Sequence, residues 1–259
     1  MSLKVSYIQT KLYWEQPDKN LEMFASKIEA IPDQPDLIVL PEMFSTGFSM
    51  NSEALAEDFK TSKSISWMKT QAVQQSACVL GSLIIRDKGH HYNRMIIAFP
   101  DETIKYYDKR HRFTYAGEDQ HYSAGKDKLI FTYKGWRICP MVCYDLRFPV
   151  WIRNRHEYDL LIFVANWPEA RVNAWDTLLA ARAIENMSYC LGLNRVGEDG
   201  NGLNHTGHSC LYNPLGQAMT DEYNETEHVK TIDISKSELE ITRKKMAFLE
   251  DQDDFELKD

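Results

Sequence analysis

The sequence predicts a mixed α/β fold in a single domain, and three observations carry the prediction. Short β-rich runs recur along the 259 residues, with helical stretches between some of them. Three of those runs follow one another across short turn-like segments, as in an antiparallel meander, whereas residues 37–40 are four consecutive apolar residues of the kind buried on both faces of a sheet. The sheet is therefore expected to be mixed. No repeat and no linker divides the chain, and 43% hydrophobic with 26% charged residues is ordinary globular composition, which excludes disorder.

Taken in order, residues 4–10 read as a first strand. Residues 18–30 read as an amphipathic helix with Leu21, Phe24 and Ile28 on one face. Pro32 and Pro35 break the chain before the apolar run at 37–40. The meander comprises residues 79–86, 92–99 and 104–108, with turns at Asp87-Lys88-Gly89 and Asp101-Glu102. After a loop over 109–128, a strand at 129–133, a Lys134-Gly135 turn and a strand at 136–142 lead to Cys143. A strand at 160–166 precedes a long helix that Asn173 is expected to cap, with Asp176 at the third position. Ala174, Leu178, Ala181 and Ile184 form its expected sheet-packing face. Strands near 189–196, 209–213 and 229–234 complete the pattern. Residues 244–259 are expected as a charged tail, the acid-rich stretch 251–256 being a solvated terminus.

A formal charge of −8 repels polyphosphate, so nucleic-acid or anionic-membrane binding would need a local basic patch. Residues 105–112 are the one candidate stretch. The longest apolar runs fall far short of a bilayer span, and the N-terminus enters a strand without a secretory signal, so a cytoplasmic protein is expected. Cysteines 78, 139, 143, 190 and 210 are odd in number and mostly in strand-like context, unlike a secreted disulfide framework. At least one thiol is free.

Three places share one local logic, a buried strand followed at once by a reactive side chain: Glu42 after 37–41, Lys109 after 104–108, and Cys143 after 136–142. A carboxylate can take the proton of an attacking thiol, and an ammonium can stabilise the negative charge that develops. Taken singly, a strand-end cysteine is most often a packing residue and a lone Glu or Lys most often faces solvent. The three together weigh more than their separate odds.

Pro41-Glu42-Met43-Phe44, Tyr107-Asp108-Lys109-Arg110-His111 and Cys143-Tyr144-Asp145-Leu146-Arg147-Phe148-Pro149 resemble the three signature regions of the nitrilase superfamily, the carbon–nitrogen hydrolases. Further matches at Ala181-Arg182-Ala183-Ile184-Glu185-Asn186, Asn194-Arg195-Val196-Gly197 and Gly207-His208-Ser209 extend the resemblance from the first strand to about residue 234. It implies a four-layer α-β-β-α sandwich, with two mixed sheets face to face and helices outside. It implies Glu42 as base, Cys143 as nucleophile, and Lys109 with the Tyr144 N–H as oxyanion donors. Glu118, seven residues before Gly125, matches a second glutamate that orients the substrate amide and supports the lysine. The implied mechanism passes through a thioester and needs no metal or organic cofactor; the histidines have no compact ligand spacing.

Within the superfamily, the segments around Lys109, Glu118, Cys143 and Ala165-Asn166-Trp167-Pro168 are most similar to the bacterial ω-amidase group. That resemblance implies a small α-keto-acid monoamide such as 2-oxoglutaramate as substrate, and a homodimer or higher oligomer. The carboxylate of such a substrate needs local cations. Arg147 leads, followed by Arg110, Arg112 and Arg195, and Asn166 and Trp167 are expected to line the pocket. Arg112 stands where many relatives have Leu, which puts the substrate's size in question. Cys139, four residues before Cys143, is expected to be core. The alternatives are another amidase or a nitrilase for a small neutral substrate, or a non-catalytic binding protein on the same fold, which the intact Glu42, Lys109, Glu118 and Cys143 disfavour.

Overall fold

The computed structural model describes residues 1–221 and 223–257. The chain opens with β1 (Ser2–Gln9) and passes through α1 (Pro17–Glu29) to β2 (Leu37–Val39), which lies parallel to β1. A one-turn helix α2 (Ser52–Leu55), a two-residue strand β3 (Glu57–Asp58) and α3 (Lys63–Gln75) lead into the meander β4 (Cys78–Asp87), β5 (His90–Ala98) and β6 (Ile104–Asp108). Beyond the short helix α4 (Glu118–His121) come β7 (Phe131–Tyr133), β8 (Trp136–Val142), α5 (Pro149–Ile152) and β9 (Leu160–Ala165). Helix α6 (Val172–Asn186), β10 (Tyr189–Asn194), β11 (Cys210–Tyr212), β12 (His228–Ser235) and α7 (Lys236–Met246) follow.

The first sheet runs β12-β1-β2-β4-β5-β6, with β3 beside β4, and the second runs β11-β10-β9-β8-β7. Both are mixed: β1, β2 and β4 are parallel, as are β8, β9 and β10, with antiparallel strands at the edges. The period-2 alternation of the first sheet sorts its side chains into two layers. Val5, Tyr7, Leu37, Val39, Leu80 and Met95 point into a core shared with the second sheet. Ile8, Ile38, Leu40, Val79 and Ile96 point the other way, against Phe24 and Ile28 of α1 and Ile65, Met68 and Ala72 of α3. The opposite face of the second sheet is covered by Trp175, Leu179 and Ala183 of α6. The result is the expected α-β-β-α sandwich, with the run at 37–40 buried on both faces.

Two expectations are corrected. Helix α6 begins before Asn173, which lies exposed inside its first turn, because a turn at Glu169–Arg171 already carries the chain into the helix. Its buried positions are Trp175, Leu179, Arg182, Ala183 and Asn186, so the packing face is rotated from the expected one, and Ile184 is half exposed. Gly192 of β10 permits this approach: a Cβ there would lie 2.2 Å from the Leu179 side chain. The charged tail is also shorter than expected. Helix α7 buries Leu239 and a following turn, Phe248–Asp251, buries Leu249. Arg243 fastens this segment through Asp159 (3.0 Å) and the Met187 carbonyl (2.7 Å). Of the described tail residues, Ala247 and 252–257 have no regular structure, and residues 258 and 259 of the expected tail lie outside the described residues. Among the described residues, no helix is long and apolar enough to cross a membrane.

Candidate active site

Strand direction brings the site together. β2 and β4 are parallel, and two antiparallel steps through β5 return β6 to the same direction, so β2 and β6 end on one edge of the first sheet. β8 and β9 are parallel and end together in the second sheet. Glu42 lies three residues past β2, Lys109 and Cys143 immediately past β6 and β8, and Asn166 immediately past β9.

Lys109 Nζ donates to Glu42 Oε1 at 2.9 Å and to both Glu118 oxygens at 2.9 Å, with all three side chains at most 1% exposed. Every remaining carboxylate position has a donor. Asn93 Nδ2 reaches Glu42 Oε1 at 2.8 Å and Glu118 Oε1 at 3.3 Å. The Asn166 N–H reaches Glu42 Oε2 at 2.8 Å, and the Phe113 N–H reaches Glu118 Oε2 at 2.5 Å. Asn93 is itself oriented, because its Oδ1 accepts from Ser82 Oγ (2.8 Å), which accepts from the Met43 N–H (2.9 Å). Gly125 caps Lys109 from behind: its N–H bonds the Lys109 carbonyl at 2.9 Å, and a Cβ there would lie 2.0 Å from the Asp108 carbonyl oxygen.

Burial alone would lower the Lys109 ammonium, but the charges of Glu118, then Glu42, outweigh it and hold the group above its ordinary value. Burial raises the Glu118 carboxyl, with Lys109 pulling the other way. Burial also pushes the Cys143 thiol well above its ordinary value; Glu42 adds to the rise and Lys109 opposes it. The resting sulfur is thus a protonated thiol facing a carboxylate.

Cys143 opens a tight turn, Cys143–Arg147, with a positive φ of 45°, so it stands on a strained elbow rather than continuing the alternation of β8. Asp145, fully buried, braces the elbow. Its Oδ2 accepts from the Val142 N–H (3.1 Å) and the Tyr107 hydroxyl (2.8 Å), and its Oδ1 from the His111 N–H (3.0 Å) and Nδ1 (2.8 Å). One carboxylate therefore ties the elbow to the segment that follows Lys109. Cys139 is core, as expected, its thiol pushed up to about 12 by burial.

Cys143, Tyr144, Arg147, Asn166 and Trp167 line one cavity of about 260 Å³, walled on its other sides by Phe48, Met50, Phe113, Arg171, Leu203 and His205. Arg147 lies over the Trp167 ring at 4.9 Å. The other expected cations are elsewhere. Arg112 donates to the Tyr122 carbonyl (3.2 Å), Arg110 lies over Trp151 at 4.3 Å, and Arg195 is buried against the carbonyls of Val196 and Glu198. None of these three lines the cavity, so Arg112, expected among the substrate-binding residues, stands outside it. Asn93, Asp145 and Arg171 are the site residues that sequence reasoning missed. An Asn inside a strand, where that residue type is depleted, was the available signal for the first.

A buried thiol beside a carboxylate and an ammonium, at the joint edge of two sheets in an α-β-β-α sandwich, is the equipment of a thiol-dependent hydrolase. The chain belongs to the carbon–nitrogen hydrolase family, whose model matches residues 4–244. It is 43% identical to omega-amidase YafV of Yersinia enterocolitica over 98% of both chains. It is 32% identical to the 2-oxoglutaramate amidase of Bacillus subtilis over 92% of this chain and 93% of that one. Among solved structures it is similar to XC1258 of Xanthomonas campestris, a CN-hydrolase superfamily protein with an arsenic adduct in its active site. That match has a TM-score of 0.95 and 42% identity over the whole of both chains.

Proposed function

We propose that this protein hydrolyses the terminal amide of a small 2-oxo acid monoamide of the 2-oxoglutaramate type, releasing ammonia and the dicarboxylate. The observation that carries the reading is the joining of the Cys143 thiol and the Arg147 guanidinium in one small cavity, backed by the bonded set Glu42, Lys109 and Glu118. The activities for which the Yersinia and Bacillus relatives are named support the substrate class.

Glu42 takes the thiol proton as Cys143 Sγ attacks the amide carbon. Lys109 Nζ and the Tyr144 N–H, early in a turn where it has no helical acceptor, hold the tetrahedral oxyanion. The proton passes from Glu42 to the departing nitrogen, ammonia leaves, and a thioester remains. Water that gives its proton to Glu42 then attacks the thioester carbonyl, and the sulfur recovers that proton. Glu118 steadies Lys109 and orients the amide, Arg147 takes the carboxylate, and Asn166 and Trp167 shape the wall.

The test is ammonia release from 2-oxoglutaramate beside glutamine, a simple aliphatic amide and a nitrile. Preferred turnover of the first is expected; its absence beside good turnover of another would refute the substrate assignment. We also propose a single cytoplasmic domain, which the pairing of β1 with β12 supports, and a homodimer or higher homo-oligomer. One cooperative unfolding transition, fractionation of cells and sedimentation are the respective checks.

A further inference from the structure

We propose that Arg171 is a second specificity-determining residue: with Arg147 it forms a two-guanidinium site that takes the 2-oxo carboxylate end of the substrate and rejects the corresponding 2-amino acid amide. The inference rests on the reading of the site given above.

Arg171 ends the turn that leads into α6 and lines the same cavity as Cys143 and Arg147. Its backbone is fixed on both sides. Its N–H donates to the Pro168 carbonyl (3.0 Å), and its carbonyl accepts from Trp167 Nε1 (2.8 Å). Its guanidinium lies over Phe113 at 5.0 Å and Tyr115 at 5.9 Å, as that of Arg147 lies over Trp167. Trp167 thus carries one arginine on its ring and anchors the backbone of the other.

Among the described residues, neither guanidinium forms an ion pair; their partners are aromatic faces. The acid in the cavity wall, Asp199, has one oxygen engaged within its own turn, Oδ1 accepting from the N–H groups of Asn201 (2.8 Å) and Leu203 (3.0 Å). His205, also in the wall, is held neutral at physiological pH, its imidazole lowered to about 4 by burial and then by Arg195. The cavity therefore presents two cations against one anion, on a chain of net charge −8. Stacked guanidiniums keep their edge N–H groups free for planar oxygen acceptors. A carboxylate with an adjacent keto oxygen offers three such acceptors, enough for both. A 2-ammonium group in the same place offers none and meets like charge.

The experiment is steady-state kinetics of the wild type, Arg171→Met and Arg171→Lys on 2-oxoglutaramate, glutamine and pentanamide, with calorimetric binding of 2-oxoglutarate as a second readout. Arg171→Met should raise KM for 2-oxoglutaramate by about 10- to 100-fold with kcat nearly unchanged, the range for losing a hydrogen bond to a charged group. Pentanamide turnover should hold, the preference for the 2-oxo over the 2-amino substrate should fall by about tenfold or more, and Arg171→Lys should recover part of the loss. Equal losses on all amides would mean that Arg171 only staples the Phe113–Tyr115 segment, and an unchanged KM would mean that it touches no substrate. Either result overturns the proposal. Wild-type turnover of pentanamide alone would refute the substrate reading, whereas 2-oxoglutarate binding that Arg171→Met leaves unchanged refutes the Arg171 site by itself.

Discussion

Asn93 offers the sharpest test of how the site is held. Its Nδ2 bridges Glu42 (2.8 Å) and Glu118 (3.3 Å), and it is 1% exposed, so neither bond is screened by solvent. Replacement by Ala removes one short charge-assisted bond and one long one, and leaves Ser82 Oγ without its acceptor. A hydrogen bond to a charged group contributes about 1.5–3 kcal/mol, so kcat/KM should fall by about 10- to 100-fold. The loss stops there because Glu42 keeps Lys109 and the Asn166 N–H, and Glu118 keeps Lys109 and the Phe113 N–H. Asn93→Asp conserves volume but replaces the shared donor with a third carboxylate around one ammonium. It should lose more than Asn93→Ala at neutral pH and recover part of its activity as the pH falls and a proton joins the cluster. In Asn93→Ala, the acid limb of kcat/KM should move to higher pH, because ionised Glu118 has lost a donor. Ammonia release across a pH series, with circular dichroism to verify folding, reads all of this. Activity of Asn93→Ala within about threefold of wild type throughout, where the bond energies require tenfold or more, would refute the reasoning, as would Asn93→Asp outperforming it.

Cys143→Ala should abolish ammonia release while leaving the dichroism spectrum and unfolding midpoint intact; a surviving rate would remove Cys143 from the nucleophile role. Asp145→Asn turns an amide N–H₂ toward a carboxylate site that accepts from Val142, Tyr107 and His111, so it should cost about 2–4 kcal/mol in urea unfolding and displace the elbow enough to lower kcat about tenfold. Asp159 is opposed by burial, but hydrogen bonds from Arg137 and Lys236 outweigh that and hold its carboxyl down to about 2 from 3.8. Its contribution, about 2 kcal/mol, is fully present above pH 3.8 and is lost as pH falls toward 2. Asp159→Asn should therefore unfold more readily at pH 7 and show a shallower acid dependence, whereas unchanged acid stability would contradict the network.

Legibility in the sequence followed the range of the forces involved. Strand β8 fell at 136–142 as expected, and β2 was legible from the apolar run at 37–40 that contains it, because both depend on local patterning. Helix α3 was missed: its core contacts, Ile65, Met68 and Ala72, are diluted by Lys and Gln, and its start is fixed by Ser62, whose Oγ accepts from the Ile65 N–H (3.0 Å). The α6 face was read one position off because Arg182 does not look like a core residue; it is one because its guanidinium donates to the Leu146 carbonyl (2.7 and 3.0 Å). In the site, Glu42, Lys109 and Cys143 were legible as strand-end residues and Glu118 through resemblance. Asn93 was not, since it acts on partners 51 and 25 residues away. Among the arginines, proximity to the nucleophile ranked Arg147 first but left Arg112 among the candidates; the course of the chain around the cavity is what leaves Arg112 outside it.

The charge arrangement accounts for why thiol and base must act together. Around one ammonium stand two carboxylates, each with its donors satisfied, and the thiol faces Glu42. A resting thiolate would add a third negative charge to that buried set, which burial and Glu42 both oppose more than Lys109 favours. In the proposed mechanism sulfur therefore loses its proton as Glu42 gains it, and that transfer neutralises one of the two carboxylates beside Lys109. The ammonium is then less fully compensated at the moment an oxyanion forms within its reach. Sheet geometry is what makes the exchange possible: Glu42 and Lys109 come from one sheet and Cys143 from the other, so the proton crosses the joint between two rigid layers rather than moving along a flexible loop.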